Sequence, residues 1–169
     1  MEIMEKSNCY QKTVHVTARF LKAVWDQDRD RIGEALTVDD ILVAKVAQFQ
    51  VSMGPTVVAA SNGELDCLRP VEKGGIIYLR GRCDKSLPSV LGVEKLPILA
   101  RHTRLAKLIM IAAHEEDHRS TATDVLARSM QKAWIIRGRY PAREVCKSCP
   151  WCKLLCLLNR SWLIFRVTN

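Results

Sequence analysis

The chain has 169 residues, 48% of them hydrophobic, with a formal net charge of +8 and a pI near 9.3. That is enough chain for one ordinary domain or two small ones, and the absence of any run of about eighteen apolar residues argues against a transmembrane helix and a membrane partner. The basic balance favours a polyanion partner, nucleic acid first.

Seven cysteines are present, an odd number, and the N-terminus MEIMEKSNCY lacks the continuous apolar core of a secretory signal. Four of the seven crowd into residues 146–156. Metal binding in a reducing, intracellular compartment is therefore expected over a disulfide framework. No compact basic cluster reads as a nuclear signal, so nucleus and cytoplasm both stay open.

Taken in order, residues 1–10 read as a loose start. Val14, Ala18, Leu21 and Trp25 recur at helical spacing and predict an amphipathic helix over Thr13–Asp26. His15 lies on it without a partner in sequence and is expected to be structural or exposed. The stretch DQDRDR is charged and solvated. Thr37 followed by Val-Asp-Asp is a helix start, a hydroxyl cap with a carboxylate three residues on. Ile41, Leu42, Lys45, Val46 and Phe49 continue that helix to about Gln50, and Gly54-Pro55 is expected to end it.

Residues 55–65 read as a short strand or loop. Two short strands are expected at Asp66–Pro70 and Gly75–Gly81, around the turn Val-Glu-Lys-Gly-Gly. Gly74-Gly75 lacks a following Lys-Ser/Thr and predicts a turn, not a phosphate loop. Arg80, Arg82 and Lys85 make this region basic. Residues 86–97, with Pro88, Gly92 and Pro97, read as a linker.

From Arg101 a helix is expected to run to about His114, with Leu105, Leu108, Ile109 and Ala112 as its apolar stripe. His118 falls in the following turn. Ser120 or Thr121 can cap the next helix, whose buried face is Ala122, Val125, Leu126 and Ser129. Trp-Ile-Ile at 134–136 reads as extended and Arg-Gly-Arg as a turn. Pro141 then opens a last helix that delivers Cys149 and Cys152.

His114, His118, Cys149 and Cys152 form two close ligand pairs about thirty residues apart. Two imidazoles and two thiolates are what a closed tetrahedral zinc site uses, with zinc–nitrogen and zinc–sulfur distances of about 2.0–2.1 and 2.3 Å. Four protein ligands leave no position for water, so the expected role is a structural staple. A segment this short usually needs such a staple, and binding would be coupled to folding. Cys146 and Cys149 also form a Cys-x-x-Cys pair. Cys146 suits an inward apolar position, and Cys149 and Cys152 bracket a knuckle-like Pro150-Trp151 turn, so the latter pair is preferred. Whether Cys146 replaces one of them stays open. The sequence HEEDH matches the His-Glu-x-x-His spacing of metalloproteases, but a downstream cysteine pair would close the water position that such catalysis needs. No enzyme activity is expected.

The stretch AHEEDHRSTATDVLARSMQKAWIIRGRYPAREVCKSCPWCK resembles the His-His-Cys-Cys zinc-binding domain at the N-terminus of retrotransposon integrases, most of all the BEL/Pao type. The matching features are HEEDHRS, LARS, WIIRGR and CPWCK. Upstream, TARFLKAV, LTVDDILVAKV, LRPVEKGGIIYLRGRC and LPILARHTRLAKLIM look like the polyprotein region that leads into that domain. The resemblance covers about residues 13–153. It implies a small helical bundle of helix-turn-helix character that supports multimerisation and contacts DNA ends. His114, His118, Cys149 and Cys152 would be the zinc ligands, and Arg128, Arg137, Arg139 and Arg143 the phosphate contacts. Residues 101–153 carry eleven Lys/Arg against five Asp/Glu, consistent with salt-sensitive phosphate binding. The family's Asp-Asp-Glu catalytic core is not expected in the seventeen residues after Cys152.

The expected architecture is thus mainly α with a small β segment. It divides into an upstream polyprotein-derived region (1–97), a zinc-stapled three-helix module (98–153) and a divergent apolar tail (154–169). The expected function is zinc binding, with DNA, self-association or other chains of the same polyprotein as partners. The alternatives are a pure interaction or oligomerisation module and an inactive transposable-element remnant.

Overall fold

A computed structural model describes residues 9–25, 35–79, 96–118 and 120–154. The expected loose start to residue 8, the charged DQDRDR stretch, the basic residues at 80–85 and the divergent tail beyond 154 lie outside them.

The described chain begins with α1 (Tyr10–Trp25) and α2 (Val38–Val51), which pack on each other. Thr37 caps α2 as its sequence predicts. Its hydroxyl accepts from the Asp40 amide, and the Asp40 carboxylate accepts from the Thr37 amide at 2.8 Å. Lys22 of α1 reaches the same carboxylate at 3.6 Å. The helix–helix contact is made of small and polar side chains: Thr13, Ala18, Ala44 and Gln48 are buried. Gln48 donates from Nε2 to Thr17 Oγ1 at 3.0 Å, and Thr17 donates on to the Thr13 carbonyl. The larger aliphatics Val38, Leu42 and Val46 face outward on α2.

α2 ends at Val51, ahead of Gly54-Pro55 as expected, but the pair does not lead into a strand or loop. It opens a third helix, α3 (Gly54–Ser61), set at 48° to α2. Proline costs no hydrogen bond in a first turn, because that N–H has no intrahelical partner. Residues 55–61 are therefore helix, not strand or loop. Among the described residues no single helix is long and apolar enough to cross a membrane; α2 and α3 together meet that length and composition only as a bent pair.

The hairpin turn is tighter than expected. Asp66–Leu68 is a 3-10 turn, closed by Arg69 in the left-handed region at φ 48°. β1 (Pro70–Lys73) and β2 (Ile76–Leu79) pair antiparallel. Gly74 and Gly75, at φ 59° and 72°, make the whole turn, the two-residue connection that only residues tolerant of positive φ form readily. Val71, Glu72 and Lys73 are thus strand residues. The expected linker ends in a strand too: β3 (Leu96–Leu99) lies antiparallel to β2 through Leu96 and Pro97 and parallel to β4 (Trp134–Ile135) through Ile98 and Leu99. The sheet order is β1-β2-β3-β4, and the strand spanning residues 97 and 98 joins the upstream hairpin to the C-terminal helices.

Those helices are α4 (Arg104–Glu115), α5 (Ala122–Ser129) and α6 (Arg139–Ser148), packed on one another. Thr103 caps α4 and Thr121 caps α5, the latter with a reciprocal Asp124 bond. Leu105, Ala106, Leu108, Ile109, Met110 and Ala113 of α4 are completely buried, so α4 is the central helix of the core. The fold is mostly helical with one small four-stranded sheet, as the sequence predicts. α6 begins two residues before Pro141, at Arg139; proline there still falls among the amides without intrahelical partners.

Gly138, just before α6, sits where three elements meet. A Cβ there would lie 2.6 Å from Leu126 Cδ1 and 3.1 Å from the Ile135 carbonyl. Leu126 can shift but the Ile135 backbone is held in the β3–β4 pair. Gly138→Ala is expected to destabilise the fold by about 1–3 kcal/mol, the usual cost of forced overpacking, read as a lower urea midpoint. An unchanged midpoint would contradict this packing.

Candidate metal centre

The centre forms where α4 ends and α6 breaks. His114 lies in the last turn of α4 on its buried face and is 3% exposed. His118 follows in the α4–α5 connection, half-buried. That connection is tied down on both sides. Lys132 pairs with Glu116 at 3.2 Å, and Arg128 pairs with Asp117 at 3.4 Å while donating to the Ala113 carbonyl at 3.3 Å.

On the other side, α6 stops at Ser148 because Cys149 turns extended, at φ −64° and ψ 123°. Its amide still bonds the Val145 carbonyl, while its own carbonyl accepts from the Lys153 amide. Residues 150–154 are helical again, with Pro150 at the first helical position where proline is favoured. The chain thus breaks and restarts within Cys-Pro-Trp-Cys, which turns both thiols towards α4.

Cys152 Sγ lies 3.2 Å from His114 Nε2, and Cys149 Sγ lies 3.8 Å from His118 Nδ1. One ligand atom from each of His114, Cys149 and Cys152 falls within 4.8 Å of the others. For a tetrahedral ion with the bond lengths above, a sulfur–nitrogen edge is about 3.5 Å, and the two observed separations bracket it. These three side chains form a group able to hold a metal ion. His118 stands at its edge, on the Cys149 side. Its ring meets that of His114 edge-on, centroids 5.3 Å apart, and is flanked by Trp151 at 6.5 Å. Cys152 also contacts the His118 carbonyl at 3.0 Å.

The electrostatics suit soft ligation. Burial, helped by the nearby His118, lowers the His114 pKa below its ordinary 6.5 and keeps the ring in its neutral, ligating form. Glu115, Glu116 and Asp117 are exposed, and none joins the three-residue group.

Cys146 is expected at an inward apolar position. It is half-buried against the core, with burial raising its pKa, but its sulfur also lies 3.9 Å from His114 Nδ1. The Cys-x-x-Cys spacing to Cys149 was the available signal for that proximity. Of the four arginines, Arg137, Arg139 and Arg143 are exposed. Arg137 adopts a left-handed backbone at φ 51°. Arg128 is engaged with Asp117 and Ala113, bracing the loop that carries His118.

A thiol sheds its proton when it ligates a metal ion. Metal affinity at this group is therefore expected to rise with pH. Competition against a chromophoric chelator measures this slope; a flat profile would contradict thiolate ligation.

No family model, curated protein or solved structure matches this chain.

Proposed function

We propose that this chain is a retroelement-derived zinc-binding module of the integrase His-His-Cys-Cys type, whose role is DNA binding and not catalysis. The observation that carries the reading is the convergence of His114 with Cys149 and Cys152, residues from opposite ends of the segment 114–152, beside His118. Two nitrogens and two thiolates favour zinc over harder cations. The ion would supply a four-way crosslink between the end of α4 and the knuckle after α6. His118 completes the set from its place beside Cys149, and a closed set leaves no coordination position for a reacting water.

For DNA, α6 presents Arg139 and Arg143 one turn apart on its exposed side, with Arg137 in the turn before it. These three are free to meet phosphates. Arg128 could do so only in competition with Asp117. The position of the basic helix after a short connection suits a helix laid along a duplex.

A second reading, association with another protein chain, is favoured by one observation. Val38, Leu42, Val46, Val51, Val57 and Val58 on α2 and α3 are all exposed, from 46% to 74%, more apolar surface than scattered single residues would leave.

The test uses the full chain with zinc, with chelator, and as Cys152→Ser. The proposal expects one zinc per chain, loss of helical circular dichroism on chelation, and zinc-dependent duplex binding. For three phosphate contacts, log affinity against log salt should have a slope of about −2.7. In Arg139→Ala/Arg143→Ala that slope should shrink by about two thirds, because two of the three contacts are gone. Self-association without salt-sensitive DNA binding would favour the second reading, and absence of bound zinc would overturn the first.

A further inference from the structure

We infer that Cys146 is the positioning residue of this metal centre: its sulfur accepts the Nδ1–H of His114 and so presents Nε2 to the ion. The inference rests on the zinc reading above and adds the role of a third cysteine.

An imidazole offers one nitrogen to a metal, and in the neutral ring the other nitrogen carries the proton. The two nitrogens of His114 face different sulfurs. Nε2 lies 3.2 Å from Cys152 Sγ, which belongs to the ligand group, whereas Nδ1 lies 3.9 Å from Cys146 Sγ. Ligation through Nε2 therefore makes Nδ1 a donor. His114 is 3% exposed, so that donor has little access to water, and a buried N–H left without an acceptor is costly. Cys146 Sγ is the acceptor that the structure provides.

The geometry also separates this role from ligation. The lone-pair directions of the two ring nitrogens diverge widely in the ring plane. An ion on Nε2 lies on the far side of the ring from the sulfur that faces Nδ1. Cys146 and Cys152 consequently grip one ring from two sides. Metal-bound histidines commonly have such an outer partner, which fixes the tautomer and the ring orientation; its loss typically costs about 10–100-fold in metal affinity. A carboxylate or a carbonyl usually fills that place. Here α6 supplies a thiol, on the side of the helix that also carries the buried Ala142 and Val145, where an unpaired carboxylate would be expensive.

The experiment compares the full chain with Cys146→Ala and Cys146→Ser, loaded with zinc or with cobalt(II). Three readouts are taken: zinc affinity by chelator competition, sulfur-to-cobalt charge-transfer intensity per bound ion, and the His114 Nδ1–H proton resonance in the zinc form. The expected result is a fall in affinity of about 10–100-fold for Cys146→Ala, with most of it restored by the serine hydroxyl. Charge-transfer intensity should be unchanged in both variants, because no ligand is lost. The Nδ1–H resonance should be protected from exchange in the natural chain, lost in Cys146→Ala and regained in Cys146→Ser. A packing role alone would not move that resonance.

A drop in charge-transfer intensity in either variant would overturn the inference by making Cys146 a ligand. Unchanged affinity and an unchanged resonance in Cys146→Ala would overturn it by leaving Cys146 without a role at the ring. If the natural chain binds no metal, the zinc reading falls and this inference falls with it, an outcome distinct from the other two.

Discussion

One contact closes the C-terminal half of this protein: the buried imidazole at the end of α4 meets the thiols of the knuckle after α6. The parallel β3–β4 pair joins the beginnings of the same two arms: β3 leads through Thr103 into α4, and β4 leads through Gly138 into α6. α4 is twelve residues long, roughly 18 Å at the usual rise. Two short strands hold one end of this wedge, and the histidine–cysteine group holds the other. Between them, Leu105, Leu108 and Ile109 are completely buried. A crosslink at the open end would restrict the unfolded chain as well as hold the folded one, since its ligands come from segments far apart in sequence.

The surroundings of the group serve the same end. The Arg128–Asp117 and Lys132–Glu116 pairs are partly exposed and individually weak. Their value lies in where they act, on the connection that carries His118. The Thr121–Asp124 cap then sets the point where α5 begins. Hydrogen bonding to Thr121 holds the Asp124 carboxyl below its ordinary 3.8. That carboxylate favours the folded state above its unfolded pKa, and the contribution fades as pH falls through the lowered value.

Much of the C-terminal site was legible in the sequence because its signals are local. The Thr121-x-x-Asp124 cap, the α4 stripe and the Cys-Pro-Trp-Cys turn each act within a few residues, and the histidine and cysteine pairs stand out by their spacing. What was not legible needed tertiary partners. Gly54-Pro55 has the same composition whether it ends one helix or begins the next. The Leu96–Leu99 strand exists because β2 and β4 receive its two halves, and nothing in Leu-Pro-Ile-Leu names those partners. α2 buries Ala44 and Gln48 and exposes Leu42, because its neighbour α1 offers Thr13, Thr17 and Ala18 at a close approach. The division of the two His114 nitrogens between Cys152 and Cys146 is a matter of ring orientation, which spacing alone does not encode.

The proposed state of this centre is a tetrahedral zinc bound by two nitrogens and two sulfurs. X-ray absorption at the zinc edge, on the full chain purified with one zinc bound, tests it most directly. Two sulfur scatterers at about 2.3 Å and two imidazole nitrogens at about 2.0–2.1 Å are expected. Three sulfurs, or a shell made mainly of oxygen, would contradict it.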